Sequence, residues 1–348
     1  MLKAIDFFCG GGGMSLGLTE AGIHVLAGID NDPRVKETYV ANHKGSMFFL
    51  ADIAELTPAT LAQQLNLTRN DDSLILVGCS PCQYWSLINT DKRKSKKTAF
   101  LLEYFQKHIE YFNPGFVLIE NVPGLSLRDE SPLTAFKIAL SAMGYSFDEG
   151  VVNCNDFGVP QKRLRYVLLA SRLGNISLPK PNAKKRPVLR DVIGGSKSLA
   201  VIPAGNVDHS YLFHSTCKLS PINKRRIEAT PKDGGTRLAW KNDSTLQLNA
   251  YKDKDNCFRD VYARLYWDKP SPTITTKYVS YSNGRFGHPE QNRALSVREG
   301  ALIQSFPNSY KIVSNSLIDA ARIIGNAVPP KMALALGKEI VRNHDEKN

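Results

Sequence analysis

Residues Leu74–Ser86 read LILVGCSPCQYWS: an apolar run, a glycine at Gly78, then a thiol, Cys82, held between Pro81 and Gln83. A short apolar run bounded by turn residues is the pattern of a strand buried on both faces. Open α/β sheets build their sites where such strands end, so Cys82 is the candidate nucleophile.

The chain before it repeats this arrangement. Leu2–Phe8 predicts a first strand, and four consecutive glycines, Gly10 to Gly13, then precede a helical pattern through Met14, Leu16, Leu18 and Ala21. Glycines at a strand-to-helix turn let the backbone approach a ligand closely, which suits a nucleotide-like molecule. The spacing is not that of the dinucleotide fingerprint, since Gly10 and Gly12 are followed by Ser15 where a third glycine is needed, and this disfavours a dehydrogenase. A second strand, His24–Ile29, ends at Asp30, and a third, Met47–Leu50, runs into Asp52 and Ile53. An acid in the position of Asp30 reaches ribose hydroxyls in layered nucleotide sites.

Beyond Leu74–Val77, helical spacing runs from Ala99 to Phe112 and stops at Pro114, and Phe116–Ile119 forms a strand ending in Glu120, Asn121 and Val122. Strands alternating with helices specify a parallel, doubly wound sheet, which brings Glu120 and Cys82 to one edge. A helix at Pro132–Met143 and strands at Phe147–Asn153 and Tyr166–Ala170 complete a first lobe ending near Ser171.

With 348 residues, 42% of them apolar, the chain can bury a full core and is expected to divide into two lobes. No apolar run approaches the roughly 20 residues that span a bilayer, and the N-terminal stretch lacks a signal peptide's cleavage region, so a cytoplasmic protein without membrane partners is expected. Six scattered cysteines suit a reducing compartment. Cys79 and Cys82 form a C-x-x-C, the spacing of a thiol–disulfide exchanger or half a zinc site, but Cys9, Cys154, Cys217 and Cys257 supply no second pair. No metal is expected.

The net charge of +12 is uneven: −2 over residues 1–171, +11 over 172–290 and +3 over the remainder. A local excess of this size reads as a polyanion-binding surface. Texture changes over the same stretch, to prolines, paired glycines and cations interleaved with Tyr211, Trp240, Tyr251, Phe258, Tyr262, Tyr266 and Trp267. This predicts an irregular, β-leaning second domain. Helical patterns resume at Ser296–Gln304, Ile318–Ile324 and after Pro330. The boundaries are therefore drawn at 1–174, 175–289 and 290–348, the last segment returning to the first domain.

Taken together, the residues resemble the cytosine-C5 DNA methyltransferases of bacterial restriction–modification systems. The likeness is carried by ordered blocks: Asp6–Gly13 (DFFCGGGG), Asp30, Asp52-Ile53, Pro81-Cys82-Gln83, Glu120-Asn121-Val122, Gln161-x-Arg163-x-Arg165, Arg298-Glu299 and Gly325-Asn326-Ala327-Val328. Only about residues 175–290 stay unmatched, where that family keeps its variable target-recognition region. Cys9, Asn31 and Trp85 depart from the residues usual there.

The resemblance implies a Rossmann-like methyltransferase fold and a specific chemistry. C5 of cytosine is a poor nucleophile, so a thiolate adds at C6 to activate it, and Cys82 would be that thiolate, with Gln83 beside it. Glu120 would serve N3 of the ring, and Arg163 and Arg165 would hold the base's carbonyl, the acid or a phosphate. The implied donor is S-adenosylmethionine, leaving as S-adenosylhomocysteine. Phe8 would lie against adenine, Asp30 on the ribose with Asn31 next to it, and Asp52-Ile53 at the adenine edge. Gly10, Gly12, Gly13 and Leu101 would line the methionine portion, with Pro81, Asn326 and Ala327 completing the site.

The implied partner is double-stranded DNA, from which the target base must be flipped out. Ser86, Gln161 and the cations Lys92, Arg93, Lys94, Lys96 and Lys97 would contact it, the last five as a lid. A cognate restriction endonuclease would be a functional partner, and a monomer is expected. The rival readings are cytosine methylation in tRNA on the same fold, and DNA binding without catalysis. Intact Cys82, Glu120 and both arginines argue against the second.

Overall fold

A computed structural model describes residues 1–80, 100–127, 131–181, 186–197, 199–252 and 254–346. Pro81, Cys82, Gln83, Ser86 and the five cations from Lys92 to Lys97 lie outside the described residues.

The strands and helices alternate as the sequence requires. In order they are β1 (Lys3–Phe7), α1 (Gly13–Glu20), β2 (His24–Asp30), α2 (Lys36–Asn42), β3 (Met47–Leu50), α3 (Pro58–Leu65), β4 (Leu74–Gly78), α4 (Leu101–Phe112), β5 (Phe116–Asn121), α5 (Leu133–Ala142), β6 (Ser146–Asn153) and β7 (Leu164–Ser171). They form one sheet of order β3-β2-β1-β4-β5-β7-β6. Central strands carry the continuous apolar runs: Ile5, Phe7, Leu74, Leu76, Phe116 and Leu118 are fully buried, covered on both faces by helices. The edge strand β3 is only partly covered, as its short length allows.

The chain runs outward from β1 to β2 and β3, then returns to place β4 on the other side of β1. That reversal is the switch point at which such sheets open a crevice beyond their carboxyl ends. The turn after β1 and the end of β4 flank it, and Cys79 N–H donates to Phe7 O across the pair at 3.3 Å.

One strand departs from the expected all-parallel sheet. β7 runs antiparallel to both β5 and β6. Parallel neighbours need a crossover of a dozen or more residues, usually helical. The link from β6 to β7 holds only a 3-10 turn, Cys154–Phe157, and a short loop, so the strand must reverse.

Two compact units make up the chain. The first comprises 1–157, 164–182 and 328–348, and the second 158–163 and 183–327. In the first, α10 (Pro330–Asp345) packs on α1 at very short range, because a side chain on Gly17 would meet Pro330 O at 2.4 Å and one on Gly337 would meet Ala21 Cβ at 2.7 Å.

The second unit holds α6 (Arg190–Ile193), α7 (Pro221–Ala229), α8 (Val297–Ile303) and α9 (Leu317–Asn326). Its expected β lean is limited, among the described residues, to isolated bridges such as Arg264–Gly287. The physical reason is an alternative supply of hydrogen bonds. Arg264, 1% exposed, donates to Thr230 O, Ile227 O, His288 O and Gln291 O at 2.8–3.0 Å. Arg226 donates to Leu246 O, and Arg237 to Lys254 O and Cys257 O, at 2.6–2.8 Å. Loop carbonyls that a sheet ladder would satisfy are satisfied by guanidinium forks instead. Part of the charge excess over 172–290 is therefore structural, buried against Trp240 and Tyr262, over whose rings Arg226 lies at 5.7 and 5.4 Å.

Candidate active site

The glycine-rich turn is shaped by backbone that most residues avoid. Phe8 has φ +62°, Gly10 +52° and Gly12 +84°, the last capping α1 with no side chain to offer. A non-glycine residue held in the left-handed region marks a turn whose course is imposed by its surroundings. Those surroundings are visible in the hydrogen bonds. Cys9 N–H donates to Ile29 O at 3.1 Å, and Gly10 N–H donates to Asp30 Oδ2 at 2.9 Å, while Asp30 Oδ1 accepts from Asp32 N–H at 2.9 Å. Asp30 thus clamps the turn to the end of β2 and remains half-buried, its carboxyl pushed up by burial against the pull of these N–H groups.

Asp52 follows the neighbouring β3, exposed, and accepts from Ala54 N–H at 3.0 Å; Ile53 beside it is buried. Ala51 N–H donates to Asp30 O at 3.1 Å, tying the two strand ends together. Leu101 opens α4 half-buried, and Asn31 is exposed. The first unit therefore gathers Phe8, Gly10, Gly12, Gly13, Asp30, Asn31, Asp52 and Ile53 at the carboxyl ends of β1 to β3. Asn326 and Ala327 belong to the second unit, at the end of α9.

S-adenosylmethionine can be tested against this setting. Open space, among the described residues, stands where a side chain on Gly10 would project. A helix N-terminus capped only by Gly12 offers N–H groups to a carboxylate, and Asp30 and Asp52 offer acceptors to hydroxyls and an amine. The residues fit such a ligand.

At the other side of the switch point, Glu120 stands near the end of β5 with 7% exposure. Glu120 faces Val167 in the antiparallel register, so Arg165, two residues along β7, is its diagonal neighbour on the same face. Arg165 Nε lies 2.9 Å from Glu120 Oε1, an ion pair without hydrogen-bond alignment, and that buried oxygen has no hydrogen-bond partner among the described residues. Asn121 Nδ2 reaches Ser80, donating to its O at 3.2 Å and its Oγ at 3.1 Å. The Asn in the Glu-Asn-Val block thereby holds the residue that precedes Pro81 in the chain. Cys79 is a half-buried free thiol, held protonated by burial and then by the nearby Glu120 carboxylate.

The second unit holds two of the expected site residues, Arg163 and Gln161. Arg163, 3% exposed, donates to Ile274 O, Gly325 O and Ala327 O at 2.9–3.3 Å. Gln161, expected at the DNA, is fully buried: its Nε2 donates to Gln304 Oε1 and its Oε1 accepts from Ile274 N–H, both at 2.8 Å. Both ends of its amide are engaged inside the unit. Gln304 Nε2 also donates to Ile324 O at 2.9 Å. Gln161, Arg163 and Gln304 thus knit the Ser271–Thr276 run to the Gly325–Ala327 block. Sequence reasoning misses Gln304, since a lone Gln at the end of α8 carries no pattern.

Asp6 opens the first motif block, where the resemblance gives it no role of its own. It is fully buried, with Oδ2 accepting from Ser15 Oγ at 2.7 Å. Burial, opposed by the Ser15 hydroxyl and N–H, pushes its carboxyl up to about 7.

A model of the C-5 cytosine-specific DNA methylase family matches residues 2–342. The type II methylase M.HgiDII of Herpetosiphon aurantiacus is 38% identical over 97% of this chain and 94% of its own length. The type II methyltransferase M1.BsuMI of Bacillus subtilis is 31% identical over 98% of this chain and 81% of its own. Among solved structures, a DNA modification methyltransferase encoded within a prophage (E. coli) superposes with a TM-score of 0.75 at 21% identity, covering 98% of this chain and 99% of that one, which shows the fold. The chain belongs to the C-5 cytosine-specific DNA methylase family and is a DNA (cytosine-5)-methyltransferase.

Proposed function

We propose that the protein methylates C5 of a cytosine extruded from duplex DNA, with S-adenosylmethionine as donor and Cys82 as nucleophile. The observation that carries this reading is Glu120: a buried carboxyl group held by the charge of Arg165, one residue from the Asn121 that holds Ser80. A thiolate adding to C6 of cytosine drives electrons toward C5 and N3. Glu120 must carry a proton to act here: its O–H then donates to N3 and passes that proton as charge arrives there, while Arg165 holds the carboxyl group in place. Cys82 forms the S–C6 bond and releases it when the C5 proton is lost. Bound S-adenosylmethionine supplies a methyl group made electrophilic by its sulfonium, and Phe8, the Gly10–Gly13 turn, Asp30, Asp52, Ile53, Pro81, Leu101, Asn326 and Ala327 are the residues assigned to hold it.

Residues 175–289 are assigned to target recognition, between a catalytic segment at 1–174 and a returning segment at 290–348. Ser86 and the Lys92–Lys97 cations are assigned to DNA contacts, which extrusion requires because unstacking a base costs a few kcal/mol. The protein works as a monomer in the cytoplasm, and its relatives' type II names suit a role in shielding host DNA from a partner endonuclease. No helix of the described residues is long and apolar enough to cross a membrane.

The test is methyl transfer from labelled donor to plasmid DNA by wild type and Cys82→Ser, with total tRNA as a second acceptor. Transfer to DNA that vanishes in the variant, while DNA and donor binding persist, is expected. Full activity in the variant sinks the nucleophile assignment, and preference for tRNA sinks the substrate.

A further inference from the structure

We propose that Asp6 is the charge by which the donor site distinguishes a sulfonium ligand from its neutral thioether product. The inference rests on the reading of the glycine-rich turn as the donor site and goes beyond it, since no role there has been given to Asp6.

Asp6 lies in β1 between Gly28 of β2 and Val77 of β4 in the register, with no exposed surface. Only Oδ2 has a hydrogen-bond partner, Ser15 of α1; Oδ1 is buried with none among the described residues. The titratable groups coupled to it by charge are Asp30 from β2, Tyr39 from α2, Cys9 from the turn and Cys79 beyond the end of β4, all acids or neutral, with no cation among them. An ionised carboxylate that is dry, half-solvated by the protein and beside a second carboxylate is poorly compensated. A cation arriving at the turn would compensate it, and a neutral molecule of the same shape would not.

The packing supplies a route for the proton. Gly28 has no side chain, and the Tyr39 ring fills that space: a Cβ there would meet it at 2.3 Å. Tyr39 OH consequently sits 3.0 Å from Ser15 Oγ and 3.0 Å from Ser46 Oγ. This chain of hydroxyls leads from Asp6 to the half-buried Ser46. Because burial holds the Asp6 carboxyl near 7, small changes around neutrality change its charge.

Sulfonium and thioether differ by one positive charge at nearly constant shape. Ionised Asp6 favours the first, and protonated Asp6 is indifferent. The donor therefore binds with loss of a proton near pH 7, and the product binds without it.

The test is calorimetric binding of S-adenosylmethionine and S-adenosylhomocysteine to the full-length protein at pH 6 and pH 8, without DNA. In wild type the ratio of product Kd to donor Kd should rise about five-fold over that interval, the order expected for one buried charge near a cation. Asp6→Asn should flatten the ratio, and Asp30→Asn should weaken both ligands while leaving the pH dependence in place. A flat ratio in wild type, or a rise that persists in Asp6→Asn and disappears in Asp30→Asn, overturns the proposal. Should Asp6→Asn fail to fold, wild type titrated at pH 7 in two buffers of different ionisation enthalpy decides: proton release with donor alone supports it, equal release with both overturns it. If wild type binds neither ligand, the donor-site reading itself fails, a result distinct from these.

Discussion

Arg165 Nε stands 2.9 Å from Glu120 Oε1 across the β5–β7 pair, both side chains close to fully buried. Removing one partner of such a pair strands the other charge, which costs about 3 kcal/mol or more, whereas removing both costs far less. Arg165→Ala is therefore expected to lose more stability than Arg165→Ala combined with Glu120→Gln. Chemical denaturation of the three variants reads the difference. Methyl transfer should fall by about 10²–10⁴ in Glu120→Gln alone.

Asn121 acts on Ser80 through its amide, touching two of that residue's oxygens. Asn121→Ala should lower kcat by about ten-fold, the scale on which a small misplacement of a reacting group is felt, with the Kd values for DNA and donor unchanged. Asn121→Asp, which lacks the donating amide, should behave like the alanine variant, and recovery of wild-type kcat in it contradicts the positioning role.

Gln161 is fully buried and both ends of its amide are engaged. Gln161→Leu strands the Ile274 N–H and a Gln304 oxygen, at about 1–3 kcal/mol for each buried group. A lower melting temperature with an unchanged salt dependence of DNA binding is the expected pair of results. A change in that salt slope would return Gln161 to the DNA surface.

The pH dependence of stability follows from buried groups of opposite sense. His43, His108 and His288 are held at about 4 by burial, below the ordinary 6.5, so unfolding takes up protons and stability falls as pH drops from about 6.5 to 4. Glu299 is held at about 2: burial raises it, but the two bonds from Arg293 at 2.7 Å outweigh that. Its contribution is present above the ordinary carboxylate range and is lost as pH falls toward 2. Asp6 works against the histidines, because a carboxyl raised to about 7 loses stability for the fold as pH rises from about 4 to 7. Thermal melts from pH 3 to 8 should show a net acid-side loss in wild type, and Asp6→Asn should gain stability relative to wild type above pH 7.

The sequence made the first unit legible because periodicity and burial agree there. Unbroken apolar runs at Ile5–Phe7, Leu74–Val77 and Phe116–Ile119 belong to strands covered on both faces, and each ends on a residue with a chemical role to assign. Direction is not written in such a run, so the reversal of β7 had to come from the short link before it. Charged side chains were the least legible. Arg264, Arg293 and Arg298 count as surface in any composition, yet each is at most 1% exposed. Nothing local distinguishes an arginine that meets phosphate from one that meets carbonyls several turns away. Asp6 was hidden for the same reason: its burial depends on Ser15, Gly28 and Tyr39, which no spacing rule connects.

The arginine forks of the second unit bond to main-chain oxygens, a group that every residue possesses. Side chains between the anchored points can then be exchanged without removing what holds the loops, provided the few arginines stay. A scaffold fastened in this manner tolerates mutation where it is exposed and resists it only at its fasteners. Relatives of one ancestry could thus diverge in the exposed side chains of this unit while keeping one architecture beneath them.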